Sequence, residues 1–304
     1  MEHGPEPVEQ ARVRSRGPWR RALRRYLRRP FGVAALAVLV VLVLAGILAP
    51  HLTPYWSGEL NLDLIGRKSG PQLAGQHFFG TDDLGRDVFA QVLYGLHVSV
   101  LLALAVAAAS TVLGTLAGAL AGYLGGWLDA VMMRLVDLVV TIPAIAVLLA
   151  VVARTGHQLS TRQIAYVLMA TMWPLVARVV RASFASKRDL EYVEAAHAAG
   201  ASAPRVVLRH LLPNSSGAII VAATTVMGLA VTLESTVDFF GLGTQQVSGP
   251  TLGNLVADGA RYGLFNGPRG WWVWAFPALV LVLLLLCFNV VGDSLDEALT
   301  ATAS

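Results

Sequence analysis

The chain of 304 residues is short of charge: aspartate, glutamate, lysine and arginine make up only 14% of it. Ordinary soluble domains carry about 25%, so too little polar surface is available to clothe a soluble globule. Cysteine is nearly absent as well. A lone Cys287 lies inside an apolar run, which excludes an internal disulfide and any Cys/His metal spacing. Lysine occurs twice, as Lys68 after Arg67 and Lys187 after Ser186. Neither completes the G-x-x-x-x-G-K-[ST] loop that cradles nucleotide phosphates, so the chain cannot hydrolyse ATP by that route.

What is abundant is apolar sequence, 55% of residues, with a mean hydropathy of +0.61. The first long run, 31–49, would make a helix of roughly 28 Å, close to the ~30 Å hydrocarbon core. It exceeds the apolar core of a signal peptide, and Pro50 makes a poor cleavage site, so an uncleaved first span is expected. Further spans are predicted at 97–123, 132–153, 163–183, 215–235 and 272–291. Only helices fit, because unpaired backbone in lipid is costly. With the N-terminus inside, the inner segments hold sixteen of the 23 basic residues, nine of them between Arg12 and Arg29. That excess places both termini in the cytoplasm. Beside an apolar run the basic stretch reads as a topology determinant, with no nucleic-acid partner. Trp271, Trp272 and Trp274 open the last span as an interfacial belt. The expected fold is all-α: a polytopic membrane bundle of six helices. Its parts are a basic segment 1–30, a first helix 31–49, an extracytoplasmic segment 50–96, a five-helix core 97–297 and a tail 298–304.

Within the spans, Ser110, Gly114, Gly118 and Gly122 recur at intervals of four and invite another helix to approach, within the bundle or across a dimer seam. Pro143, Pro174 and Pro277 fall inside spans three, four and six and favour kinks. Arg134 and Asp137, three apart, are expected to pair locally, while Arg178 and Arg181 snorkel to the inner surface. Glu234 and Asp238 lie at the outer end of span five. They are read as peripheral and wet, which speaks against a proton-coupled carrier and makes them candidates for the translocation path, for instance at a peptide's amino terminus.

The stretch EYVEAAHAAGASAPRVVLRHLLPN, 191–214, is polar enough to lie outside lipid. Asp189 can cap a first helix, with acids in its first turn suiting the dipole. Gly200 fits a left-handed C-terminal position, and Ser202 with Pro204 can open a second helix that Pro213 ends. Leu190, Tyr192 and Val193 supply apolar anchors, beside alanines that let a partner come close. Two readings fit equally: a helix laid into a partner's groove, or a tight turn packed on its own bundle.

The run Glu194-Ala195-Ala196, then Gly200, then His210-Leu211-Leu212-Pro213, resembles the cytoplasmic coupling loop of ABC importer permeases. FFGTDDLGRDVFAQVLYGLHVSV, 78–100, is similar to a segment of the C-type permease of dipeptide and oligopeptide importers, and 122–144, 239–243 and 288–295 fit as well. Departures are His210 at an aliphatic position, Leu252 where tryptophan is common, Val237 and Asp238 before FFGLG, and Asp296 and Glu297 near the end. The resemblance implies a type I importer permease of the cell membrane, with the loop 187–213 coupling to ATPase subunits through Glu194, Ala195, Ala196, Gly200, Leu212 and Pro213. It implies an extracytoplasmic motif of Gly80, Thr81, Asp82, Gly85, Arg86 and Asp87, shaping the face that meets a binding protein. The implied partners are a second homologous permease in a heterodimer, two ABC ATPases, an extracytoplasmic binding protein, peptide substrate and the bilayer. The chain itself would be non-catalytic and bind no cofactor, with ATP and Mg on the partner subunits. Rival readings are a self-contained secondary carrier or channel, and an importer of the same family for nickel or another small solute. Asp82, Asp83 and Asp87 read as a capped turn, started by Thr81 or Asp82 with Arg86 paired to an acid, in preference to a metal site.

Overall fold

The computed structural model describes residues 23–57, 60, 69–72, 77–244, 249–266 and 270–300. The basic residues Arg12–Arg21, Arg67, Lys68 and Arg269, and all of the tail beyond 300, lie outside them. A helical turn at 23–26 leads into α1, Pro30–Ile47, which opens on a proline in its first turn. A short α2, Ala49–Leu52, follows. α3, Val88–Leu124, is much longer than expected. Its first nine residues were placed in the outer segment, because Gln91 and Gly95 interrupt the apolar run.

Span three is not one kinked helix. It is α4, Gly126–Thr141, and α5, Ala144–Thr155, set at 65° around Ile142 and Pro143. Pro143 starts the second piece with extended dihedrals and so divides the span. Pro174 and Pro277, by contrast, sit inside continuous helices. α6, Thr161–Ala185, begins with a capping box in which Ser160 and Gln163 satisfy each other's backbone N–H groups. α7, Glu191–Ala198, and α8, Ala203–Val206, form the loop helices. A π-helical turn, Val207–Leu211, then joins α8 directly to α9, Leu212–Phe239. α10, Leu252–Asn266, and α11, Trp272–Thr300, complete the chain. Two-residue strands, β1 at Leu159–Ser160 and β2 at Gly243–Thr244, pair in parallel, a detail no sequence pattern announced. Among the described residues five helices are long and apolar enough to cross a membrane, and the count is six if the divided pair forms one span.

The main core lies among α3, α6 and α9, around Val106, Leu168, Val176, Phe184 and Val226. The small-residue stripe explains its tightness. A Cβ on Gly114 would lie 2.6 Å from the Trp173 carbonyl oxygen, one on Gly118 2.4 Å from that of Ala177, and one on Gly122 2.6 Å from that of Arg181. The stripe therefore seats α6 within the bundle. α1 is peripheral, held by close approaches at both ends: Gly32 lies against Ser294 of α11, and Gly46 against the backbone of His97. Arg29 pairs with Glu297, which puts the start of the first span and the end of the last on one side.

Candidate functional site: the coupling loop and its anchorage

α7 starts after Leu190, whose extended backbone (φ −84°, ψ 148°) provides the cap position without a side-chain bond. Asp189 is thus not the cap; it accepts a hydrogen bond from Arg188 Nε at 3.3 Å. Glu191 and Glu194 occupy the first turn, where the dipole favours them. Gly200 has φ +80°, with Gly200 N–H donating to His197 O (2.9 Å) and Ala201 N–H to Ala196 O (3.0 Å). This is a Schellman-type ending. A Cβ on Gly200 would meet nothing within 4 Å, so the backbone sign, not space, calls for glycine there. Ser202 stands at the cap position of α8, though its side chain makes no capping bond. Pro213 does not end the second helix. The π turn before it widens the hydrogen-bond pattern, with Leu212 N–H donating to Val207 O, and so accommodates a proline that lacks an N–H.

The loop faces two ways. Val193, Val206 and Leu211 are fully buried in the main core. Glu194, Ala195, Gly200 and Pro213 are exposed, and Ala196 and Leu212 half-buried. Val193, expected as an outward anchor, is an inward one. Leu190 and Tyr192 remain exposed, and Leu208, 64% exposed, joins them without having been singled out in the sequence. His197 Nε2 lies 3.4 Å from the Tyr123 hydroxyl, linking α7 to the end of α3. At the root of the loop, Lys187 Nζ donates to Ser183 Oγ (2.7 Å), and Ser183 Oγ donates to Ser215 Oγ (3.0 Å). Burial pushes the Lys187 ammonium below its ordinary value. No spacing in the sequence pairs Ser183 with Ser215, which meet only because α6 and α9 pack.

Beside the loop, Arg181 binds Asp129 of α4 in a two-pronged contact, Nε to Oδ1 at 3.0 Å and a terminal nitrogen to Oδ2 at 2.6 Å. Arg178 binds Asp137 at 2.7 Å. The expected local pair of Arg134 with Asp137 is replaced by this inter-helix pair, and Arg178 and Arg181 hold acids on α4 instead of reaching outward. The cause is the division of span three, which lays α4 along α6 with its acids facing the arginines.

At the opposite end, the segment 80–87 folds into a closed loop. Asp82 accepts from the backbone of Leu84 and Arg86, from Arg86 Nε (2.7 Å) and from Gln91 Nε2. Arg86 pairs with an acid as expected, and Gly80 and Gly85 carry positive φ. The cap of α3 is Asp87, not Thr81 or Asp82: its Oδ1 accepts from Ala90 N–H at 2.7 Å, and its Oδ2 meets His77 Nδ1 at 2.7 Å. Trp272 Nε1 donates to Thr81 O, riveting this loop to the start of α11. Among the described residues no group of three or more His, Cys, Asp or Glu is arranged to hold a metal.

Glu234 and Asp238 are not wet. Glu234 is 0% and Asp238 3% exposed, enclosed by Ser99, Ser235, Thr251 and the start of α10. α10 folds back over the end of α9 and covers them, which a reading of span five alone could not show.

The arrangement is that of a multi-pass importer permease: a helical membrane bundle that presents an ordered two-helix elbow at one end and a braced loop at the other. The backbone matches inward-facing structures of the methionine ABC transporter MetNI, with a TM-score of 0.54 at 20% identity, over 69% of this chain and 96% of that one. Residues 114–302 match the family described as binding-protein-dependent transport system inner membrane component, and residues 17–65 match the N-terminal TM domain of oligopeptide transport permease C. The chain belongs to this family of membrane permeases. It is 36% identical over 276 residues to a putative peptide transport system permease protein of Brucella suis, covering 91% of this chain and 89% of that one. It is 36% identical over 291 residues to the oligopeptide transport system permease protein OppC of Escherichia coli K12, covering 96% and 93%. Against OppC of Mycobacterium tuberculosis H37Rv it is 34% identical over 277 residues, covering 91% and 92%.

Proposed function

We propose that the chain forms one half of the translocation pore of an ATP-driven importer for di- and oligopeptides, beside a second homologous permease. Two ATPase subunits supply ATP and Mg chemistry, and an extracytoplasmic binding protein delivers the peptide. The cargo class rests on relatives named as peptide permeases that match nearly end to end. The observation that carries the coupling role is the two-faced loop: Val193, Val206 and Leu211 bolt it into the core while Glu194, Ala195 and Gly200 stay outside. An elbow fixed on one side and open on the other suits an amphipathic helix laid in a groove of a partner. Closure of the ATPases would drag this elbow and shift the bundle between its inward and outward states.

The test is co-purification and uptake in mild detergent and vesicles. Glu194→Lys and Gly200→Asp are expected to cut recovery of the ATPases, or uptake coupled to them, by tenfold or more, with membrane insertion intact. Unchanged uptake in both variants would refute the docking role. Full transport by the isolated chain would refute the assembly.

A further inference from the structure

Where the first and last spans meet on the coupling-loop side, a crevice of about 210 Å³ opens to the surroundings. Leu23 and Tyr26 of the initial turn, Leu36 of α1, Ile220 of α9, and Leu295 and Leu299 of α11 line it. Its lining side chains are apolar but for the Tyr26 hydroxyl, which is turned away to donate to Gly32 O. Leu299 also packs over Gly217, one helical turn beyond Pro213, so the crevice adjoins the root of the coupling loop.

The turn that borders it mixes exposed apolar and basic side chains. Leu23, Leu27 and Phe31 follow at intervals of four and are 58%, 60% and 83% exposed. Arg24 and Arg28, also four apart, are exposed among them. Apolar side chains alternating with arginines in this way suit a segment lying in the membrane interface. The turn and the start of α1 carry four arginines, Arg24, Arg25, Arg28 and Arg29, and the end of α11 carries three acids, Asp293, Asp296 and Glu297. Glu297 engages Arg29. The excess is positive, and Arg24 and Arg28 carry it outward, at the level where the cytoplasmic leaflet presents its phosphates.

We propose that this corner seats one anionic phospholipid of the cytoplasmic leaflet, its phosphate at Arg24 and Arg28 and part of one acyl chain in the Leu36–Ile220–Leu299 crevice. Charge complementarity names the headgroup, and the apolar lining names the tail. The seat is independent of the cargo the transporter carries. A lipid held there ties α1 to α9 and α11 beside the loop root.

The test uses the assembled transporter in nanodiscs of phosphatidylcholine with phosphatidylglycerol, followed by native mass spectrometry of retained lipid. The native complex is expected to keep phosphatidylglycerol in preference to phosphatidylcholine. Arg24→Gln with Arg28→Gln should reduce that retention at least fivefold, and Ile220→Trp, which fills the crevice from its exposed side, should do the same. Leu36→Trp serves if Ile220→Trp lowers the melting temperature in pure phosphatidylcholine. Equal retention of both lipids overturns the seat, as does loss in the arginine variant with none in the crevice variant, or the reverse.

Discussion

The hydroxyl of Ser183 on α6 donates to that of Ser215 on α9 at 3.0 Å, and Lys187 donates to the same Ser183 oxygen at 2.7 Å. These three residues clasp the two roots of the coupling loop, which leaves the bundle after Ala185 and rejoins it before Ser215. Ser183→Ala removes both bonds while leaving the loop's exposed face unaltered. Each bond is worth about 1 kcal/mol, so the variant should lose about 2 kcal/mol of stability, read as a lower thermal midpoint, and peptide uptake per ATP hydrolysed should fall with little change in ATPase recovery.

Lys187 adds a pH dependence with a definite sign. Burial lowers its pKa from 10.5, so the folded chain binds this proton more weakly than the unfolded one. The cost is fully present below the lowered pKa and disappears as pH rises toward 10.5. Lys187→Met removes that cost at all pH. Melting temperatures of the two proteins should therefore move in favour of the native chain as pH rises toward 10.5, and parallel curves would contradict the buried-ammonium account.

Gly118 tests the seating of α6. Its Cβ would lie 2.4 Å from the carbonyl oxygen of Ala177 and 2.8 Å from Val180 Cβ, neither of which is the free end of a flexible chain. Gly118→Ala should cost about 1–3 kcal/mol, read as a fall of several degrees in thermal midpoint in detergent. Leu120→Ala, two residues away on an exposed face, should stay within about 0.5 kcal/mol.

Asp87 both caps α3 and holds His77. Asp87→Ala should cost about 1–2 kcal/mol and speed amide exchange at residues 88–91. Asp87→Asn, which keeps a capping oxygen, should recover the amide protection while losing the charged contact to His77.

The spans and the two-helix loop at 191–214 were legible because lipid imposes long apolar runs and the loop interrupts them with polar residues. Gly200 was legible for a local reason, since the end of α7 needs a positive φ. What depends on two distant elements was not. Pro143 was read as a kink, but only the placement of α4 against α6 shows that it divides a span and turns Asp129 and Asp137 toward Arg181 and Arg178. Glu234 and Asp238 were read as wet because nothing in span five reveals that α10 closes over them. Pro213 was read as a stop because the π turn that tolerates it has no sequence signature.

That π turn leaves no joint between the elbow and the far surface. From Ala203 to Phe239 the chain is one helical rod of 37 residues, about 55 Å long at the usual rise. A pull on the tip at Pro204 would therefore be carried along one unbroken helix to the buried acids Glu234 and Asp238 at its other end.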